Sequence, residues 1–167
     1  MLTKIFLTKE NKINFKYTSS LILIFLFVFF LDRITKVKVL NLSHENEIFI
    51  NNYLNLNLVW NTGIGFGLFS FNANFIYHTI TFIIASVIVY LFYLTMKSEI
   101  LQKISLTIIL GGAVGNLYDR IVFFAVPDFI DLHYKNFHWF TFNVADIFIT
   151  FGILLYLTLE LLNKNEK

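Results

Sequence analysis

Four stretches of the chain lack the polar alternation that lets an element face water. Tyr17–Leu31 is uncharged, and its apolar pattern continues to Leu40. Phe75–Met96 is uncharged apart from a titratable His78, Ile104–Ala125 is uncharged up to Tyr118, and Thr141–Leu162 is interrupted by Asp146 and Glu160. A membrane helix needs roughly 20 mostly apolar residues. The pattern predicts an all-α membrane protein with four transmembrane helices, at about 17–40, 75–96, 104–125 and 141–162. Between them lie a long first loop (41–74), a short second loop (97–103) and a third loop (126–140). The first loop contains Leu54-Asn55-Leu56-Asn57-Leu58. This alternation predicts a small β element with one apolar face, suited to the outer membrane surface. The glycine-rich turn after it, through Gly63, Gly65 and Gly67, lacks the Lys and the strand–helix setting of a phosphate loop.

Composition agrees with the pattern. The 167 residues are 57% hydrophobic and 19% aromatic but only 14% charged, against about 25% charged in a soluble domain. Mean hydropathy is +0.68. A single integral membrane domain over residues 1–167 is expected. The absence of Cys excludes disulfides and thiol chemistry. A net charge of +2 gives no footprint for nucleic acid.

Basic residues orient the bundle. Lys4, Lys9, Lys12 and Lys16 make residues 1–16 a basic tail, Lys97 and Lys103 flank the second loop, and Lys164 and Lys167 end the chain. The first loop has no Lys or Arg, and the third has only Lys135. Both termini are therefore expected in the cytoplasm. The first span does not read as a cleaved leader, because Asp32, Arg33 and Lys36 follow it directly without a small-residue cleavage site.

With this topology all five Asp fall toward the outer face. Asp32, Asp119 and Asp146 are each separated from the inner end of a span by roughly 15 uncharged or nearly uncharged residues, about 22–24 Å of helix. Three carboxylates at one level inside the membrane point to function, because each must be paired or face water. Local structural accounts also exist. Asp32 and Lys36, four apart, can pair along one helix face with Lys36 reaching outward. Asp119 can pair with Arg120. Gly111 and Gly115 fit close helix packing. Asn116 and Asn143 need partners within or near the membrane and could orient a carboxylate.

The chemistry narrows by elimination. No serine carries a recognisable nucleophile motif on the outer side. His133 and His138, five apart, lack an HExxH pattern, so no metal and no cofactor are expected. Two carboxyls acting on water remain, sharing one proton because both cannot readily ionise together.

The motifs Asp32-Arg-Ile-Thr-Lys36, Asn61-Thr-Gly63, Gly111-Gly-Ala-Val-Gly115-Asn116-Leu-Tyr-Asp119-Arg120, Val126-Pro-Asp128-Phe129 and Phe142-Asn143-Val-Ala145-Asp146 resemble, in that order, those of lipoprotein signal peptidase, or signal peptidase II. The resemblance covers about residues 17–162. It implies an aspartic endopeptidase of the bacterial inner membrane. Such an enzyme cuts a prolipoprotein on the N-terminal side of a diacylglyceryl-modified cysteine, near the outer face, and is inhibited by the cyclic peptide globomycin. It also implies Asp128 and Asp146 as the catalytic pair, a choice the depth argument alone does not make. Asn116, Asp119, Arg120, Asn143 and Ala145 would form the supporting shell. Asp32, Lys36, Asn61 and Gly63 would shape the site or hold substrate. Prolipoproteins and membrane lipids are the expected partners, and a monomer is the expected state. A proton-coupled transporter or relay is the rival reading, but a relay needs polar groups across the full membrane, and acids are missing from the inner half of the first three spans.

Overall fold

The structure is a computed structural model that describes residues 9–42, 48–63, 73–135 and 137–165. Gly65, Gly67 and Lys4 lie outside the described residues. Helices α1 (Lys9–Leu42), α2 (Ala73–Lys97), α3 (Ile100–Phe123) and α4 (Val144–Asn165) are joined by strands β1 (Ile48–Asn51), β2 (Leu54–Asn61), β3 (Val126–Tyr134) and β4 (Phe137–Phe142). Among the described residues, three helical segments, Asn74–Lys97, Ile100–Phe123 and Val144–Asn163, are long and apolar enough to cross a membrane. Their outward faces suit that solvent: Phe82, Val89, Phe92 and Leu154 are all exposed, a surface that would be a large sticky patch in water.

Helix α3 is the hub, packing against α1, α2 and α4. Its buried face is made largely of small and polar residues, among them Ser105, Thr107, Gly111, Gly112 and Gly115. Small residues let helix backbones approach where lipid supplies no hydrophobic drive. A Cβ on Gly111 would lie 2.8 Å from the Val28 Cβ on α1, and one on Gly112 would lie 2.6 Å from the Ala145 carbonyl oxygen on α4. Gly112→Ala should therefore push α4 away from α3, costing about 1–3 kcal/mol. A thermal melt in detergent should register a lower midpoint, and an unchanged midpoint would refute this account of the contact.

The four strands form one antiparallel sheet in the order β1-β2-β3-β4. The expected β element in the first loop is present as β1 and β2. The third loop, however, is not irregular: it supplies β3 and β4, and Asp128 sits on a strand. Helix α3 stops at Phe123, where Phe124 takes a left-handed conformation (φ 56) and turns the chain into β3. Pro127 is tolerated because β4 pairs with β3 only from Ile130 onward, so one side of β3 has no strand at that position. In β2 the apolar face is not the more deeply buried one. Asn55 is buried, and Leu54 and Leu56 are half-buried.

Candidate active site

Helix α4 starts with a reciprocal cap. The Asn143 side-chain oxygen accepts the Asp146 N–H at 3.1 Å, and the Asp146 Oδ2 accepts the Asn143 N–H at 3.1 Å. This is a capping box with an aspartate at the third helical position, where the positive end of the helix favours an anion. The next free amide, Ala145 N–H, donates to Asp32 Oδ1 from α1 at 3.0 Å. Ala145 is itself fully buried, so α1 and the start of α4 are locked together.

Asn143 also reaches the second acid. Its Nδ2 donates to Asp128 Oδ1 at 2.6 Å, while Asn61 Nδ2 donates to Asp128 Oδ2 at 2.8 Å. Asn116 Nδ2 donates to Asp146 Oδ1 at 2.8 Å. The orientation of each amide follows from its other contact. Asn116 Oδ1 accepts from the Lys36 ammonium at 2.7 Å, Asn61 Oδ1 accepts the Gly63 N–H at 2.8 Å, and Asn143 Oδ1 accepts the Asp146 N–H. A donor occupies the oxygen in every case, so the NH2 faces a carboxylate.

Behind this pair lies a buried ion cluster. Lys36 Nζ is 2.8 Å from Asp32 Oδ2 and 2.7 Å from Asp119 Oδ2. Arg33 grips Asp119 with Nη1 2.6 Å from Oδ1 and Nη2 2.7 Å from Oδ2, and its guanidinium lies over the Tyr118 ring. Asp32, Lys36 and Asp119 are all buried. The Asp32–Lys36 pairing expected from spacing is present, but Lys36 does not reach outward. Two carboxylates and the Asn116 carbonyl draw its ammonium into the bundle. The expected Asp119–Arg120 pair does not form, because Arg33 and Lys36 occupy Asp119. Arg120 turns the other way, toward the Thr62 carbonyl (3.4 Å) and the Tyr77 ring. Gly63 fits beneath Arg120: it has φ +74, and a Cβ there would lie 3.0 Å from Arg120 Nη2. Gly115 is needed beside Asp32, whose Oδ2 would be 2.8 Å from an added Cβ.

Asp128 and Asp146 meet in a cavity of about 200 Å³ that also exposes Asn61, Asn116, Arg120 and Asn143, with Ile84, Ala113, Val126 and Ile149 as its apolar wall. Burial holds the Asp128 carboxyl above the ordinary value of 3.8, outweighing the amide bonds from Asn61 and Asn143, and the charge of Asp146 acts in the same direction as burial. Two carboxyls facing one apolar-walled cavity can share a proton and act on water without a metal. All eleven residues singled out in the sequence gather in or directly behind this cavity. Arg33 was missed. Its one sequence signal was its position between Asp32 and Lys36, on a helix whose inward face must meet acids.

A profile of the signal peptidase (SPase) II family matches residues 24–162. The lipoprotein signal peptidase of Pelagibacter ubique (strain HTCC1062) is 48% identical over 160 residues, covering 94% of this chain and 96% of that protein. The lipoprotein signal peptidase of Anaplasma phagocytophilum (strain HZ) is 39% identical over 140 residues, covering 81% and 88%. A solved structure described as a bacterial membrane enzyme, obtained by the in meso method at 2.3 Å resolution, superposes with a TM-score of 0.71 at 28% identity, over 89% of this chain and 92% of that one. The chain therefore belongs to the signal peptidase II family.

Proposed function

We propose that this membrane protease works as an aspartic endopeptidase with Asp128 and Asp146 as its dyad. Its general task follows from its family: it removes signal peptides from prolipoproteins. That assignment leaves the proton-coupled transporter without support. The observation that carries the dyad is the convergence of the two carboxyls on one cavity, bridged by Asn143.

The scissile bond, just before a diacylglyceryl-modified cysteine, lies between the two acids. The ionised carboxyl takes a proton from water as the water oxygen attacks the carbonyl carbon. The protonated carboxyl hydrogen-bonds to the carbonyl oxygen and polarises it. As the tetrahedral intermediate collapses and the C–N bond breaks, the carboxyl that took the proton from water passes it to the amine nitrogen, which leaves the dyad with one proton again. Asn61, Asn116 and Asn143 hold the carboxyls, Lys36 holds Asn116, and Asp32 and Asp119 hold Lys36. Arg120 borders the cavity and meets the peptide backbone, and Gly63 makes room for the Arg120 guanidinium.

Helix α1 serves as the fourth span. It is 34 residues long, and its Asp32 and Lys36 turn toward α3 and α4, while Leu23, Phe27 and Phe30 face outward. The whole chain then forms one membrane domain with residues 1–16 and the C-terminus cytoplasmic. The sheet and the dyad lie toward the outer face of the inner membrane, a polarity supported by Lys97 and Lys103 at the opposite end. The protein acts as a monomer, lipid chains of the substrate lie along the helices, and globomycin competes for the cavity. Purified protein should release the signal peptide from a diacylglyceryl precursor and stop when globomycin is added. Failure to cleave the lipidated precursor under conditions where a relative does so would refute the substrate assignment.

The dyad also has a pH signature. It needs one proton, and burial favours the protonated form of Asp128. Cleavage should fall as pH rises through the upper apparent pKa of the pair. Asn61→Ala removes a donor that favours the ionised carboxylate, so this alkaline limb should move to higher pH, by up to roughly one unit. A pH profile of kcat/KM measures it, and a downward shift would contradict the role of Asn61.

A further inference from the structure

Asp131, His133 and His138 take no part in the chemistry above. The two-residue period of β3 sends Asp131 and His133 to one face and Asp128 to the other. His138 reaches the first two through an irregularity in β4. The ladder pairs Leu132 with Phe140 but His133 with His138, so Trp139 is an extra, bulged residue. Without the bulge, His138 would point to the opposite face. With it, the two imidazoles stack with centroids 5.3 Å apart. His138 Nδ1 is 2.6 Å from Asp131 Oδ2, and His133 Nδ1 is 4.0 Å from the same oxygen. One ligand atom from each of the three side chains can be chosen so that all lie within 4.8 Å of one another.

The cluster leaves two polar atoms unsatisfied. Asp131 Oδ1 and His133 Nδ1 are buried without a hydrogen-bond partner, although Asp131 is fully buried and His133 is only 9% exposed. Leaving such atoms unpaired is expensive. A cation held with His138 would give His133 Nδ1 a partner, and an Asp131 carboxylate that gripped the ion with both oxygens would satisfy Oδ1 as well.

We propose that Asp131, His133 and His138 bind one divalent transition-metal ion of the zinc type, which clamps β3 to β4. Two imidazole nitrogens and one carboxylate oxygen suit zinc, whereas magnesium and calcium favour all-oxygen sets. Zinc bonds of about 2.0–2.1 Å place tetrahedral ligands roughly 3.3 Å apart, so the 2.6 Å contact must open and the 4.0 Å gap must close, each by less than 1 Å. His138 has a side chain 53% exposed, leaving the fourth position for water. His133 also borders a cleft lined by Tyr53 and Lys135. The role is structural: the ion would stiffen the hairpin whose opposite face carries Asp128, and no step of cleavage passes through it.

The test uses the full chain in detergent, with any polyhistidine tag removed, stripped with chelator and titrated with Zn²⁺. One ion per chain should bind, zinc should raise the melting midpoint, and Co²⁺ in its place should give the visible absorption of a tetrahedral site. His138→Gln keeps an amide able to bond Asp131 but is a poor ligand. It should weaken zinc binding by roughly tenfold or more, the scale set by loss of even an outer partner, and abolish the rise in melting midpoint. His78→Ala, on α2, should change neither. Absence of saturable zinc binding by the unaltered protein would overturn the proposal. Equal affinity in the His138→Gln protein would do the same, leaving only an Asp131–His138 hydrogen bond.

Discussion

Asp128→Asn and Asp146→Asn are each expected to reduce release of the signal peptide from a lipidated precursor by roughly 10²–10⁴-fold, the range over which a positioned acid or base contributes. The amide keeps the shape of the carboxyl but cannot take a proton from water. Both variants should also lose stability, because each carboxyl accepts from two donors that cannot turn round. Asn116 cannot turn its oxygen toward position 146, because Lys36 already occupies that oxygen. An amide at 146 would set two donors against each other unless its own oxygen replaced Oδ1, which would then give up the Asn143 N–H. Asp146→Asn should therefore melt lower than the unaltered protein. Cleavage assays with matched melting curves separate the two effects. Normal cleavage by either variant would remove that residue from the dyad.

The second large effect concerns stability. Lys36→Met should cost about 3–5 kcal/mol, the scale for breaking a buried ion pair from one side. The ammonium spends its three protons on Asp32, Asp119 and Asn116. Removing it leaves Asp32 and Asp119 buried near each other, with Arg33 able to compensate mainly Asp119. Lys36→Arg should not restore stability, because a planar fork cannot reproduce three contacts around one nitrogen. Adding Asp32→Asn to Lys36→Met should recover part of the loss. Detergent melts of the two single variants and the double variant give the answer, and a Lys36→Met protein that melts like the unaltered one would refute the cluster's structural role.

The level shared by Asp32, Asp119 and Asp146 was legible from helix rise alone. The structure gives that level a cause: Lys36 joins the first two, and Asn116 links Lys36 to the third. Asp128 could not be placed by the same reasoning. It lies on a strand reached through the left-handed turn at Phe124, and only its motif singled it out. Strand β3 went unread because nearly every position from Val126 to His133 is buried or half-buried, and a strand covered on both faces does not alternate. Strand β4 was hidden for a different reason: Phe137–Phe142 runs into the apolar start of α4. The meeting of His133 with His138 depends on a bulge, which belongs to the register between two strands and has no signature in either one.

The orientation of the three asparagines has a consequence for where a proton can go. Every protein hydrogen bond described above to the carboxyl oxygens of Asp128 and Asp146 is a donation: Asn61, Asn116 and Asn143 each present N–H groups to them, and none turns an oxygen toward either carboxyl. Among these described contacts the surroundings cannot accept a proton from the dyad. A hydrogen on either acid must point to the other carboxyl, to water or to the substrate carbonyl. The shell thus works as a one-way fence that keeps the reactive proton inside the space where the peptide bond is cut.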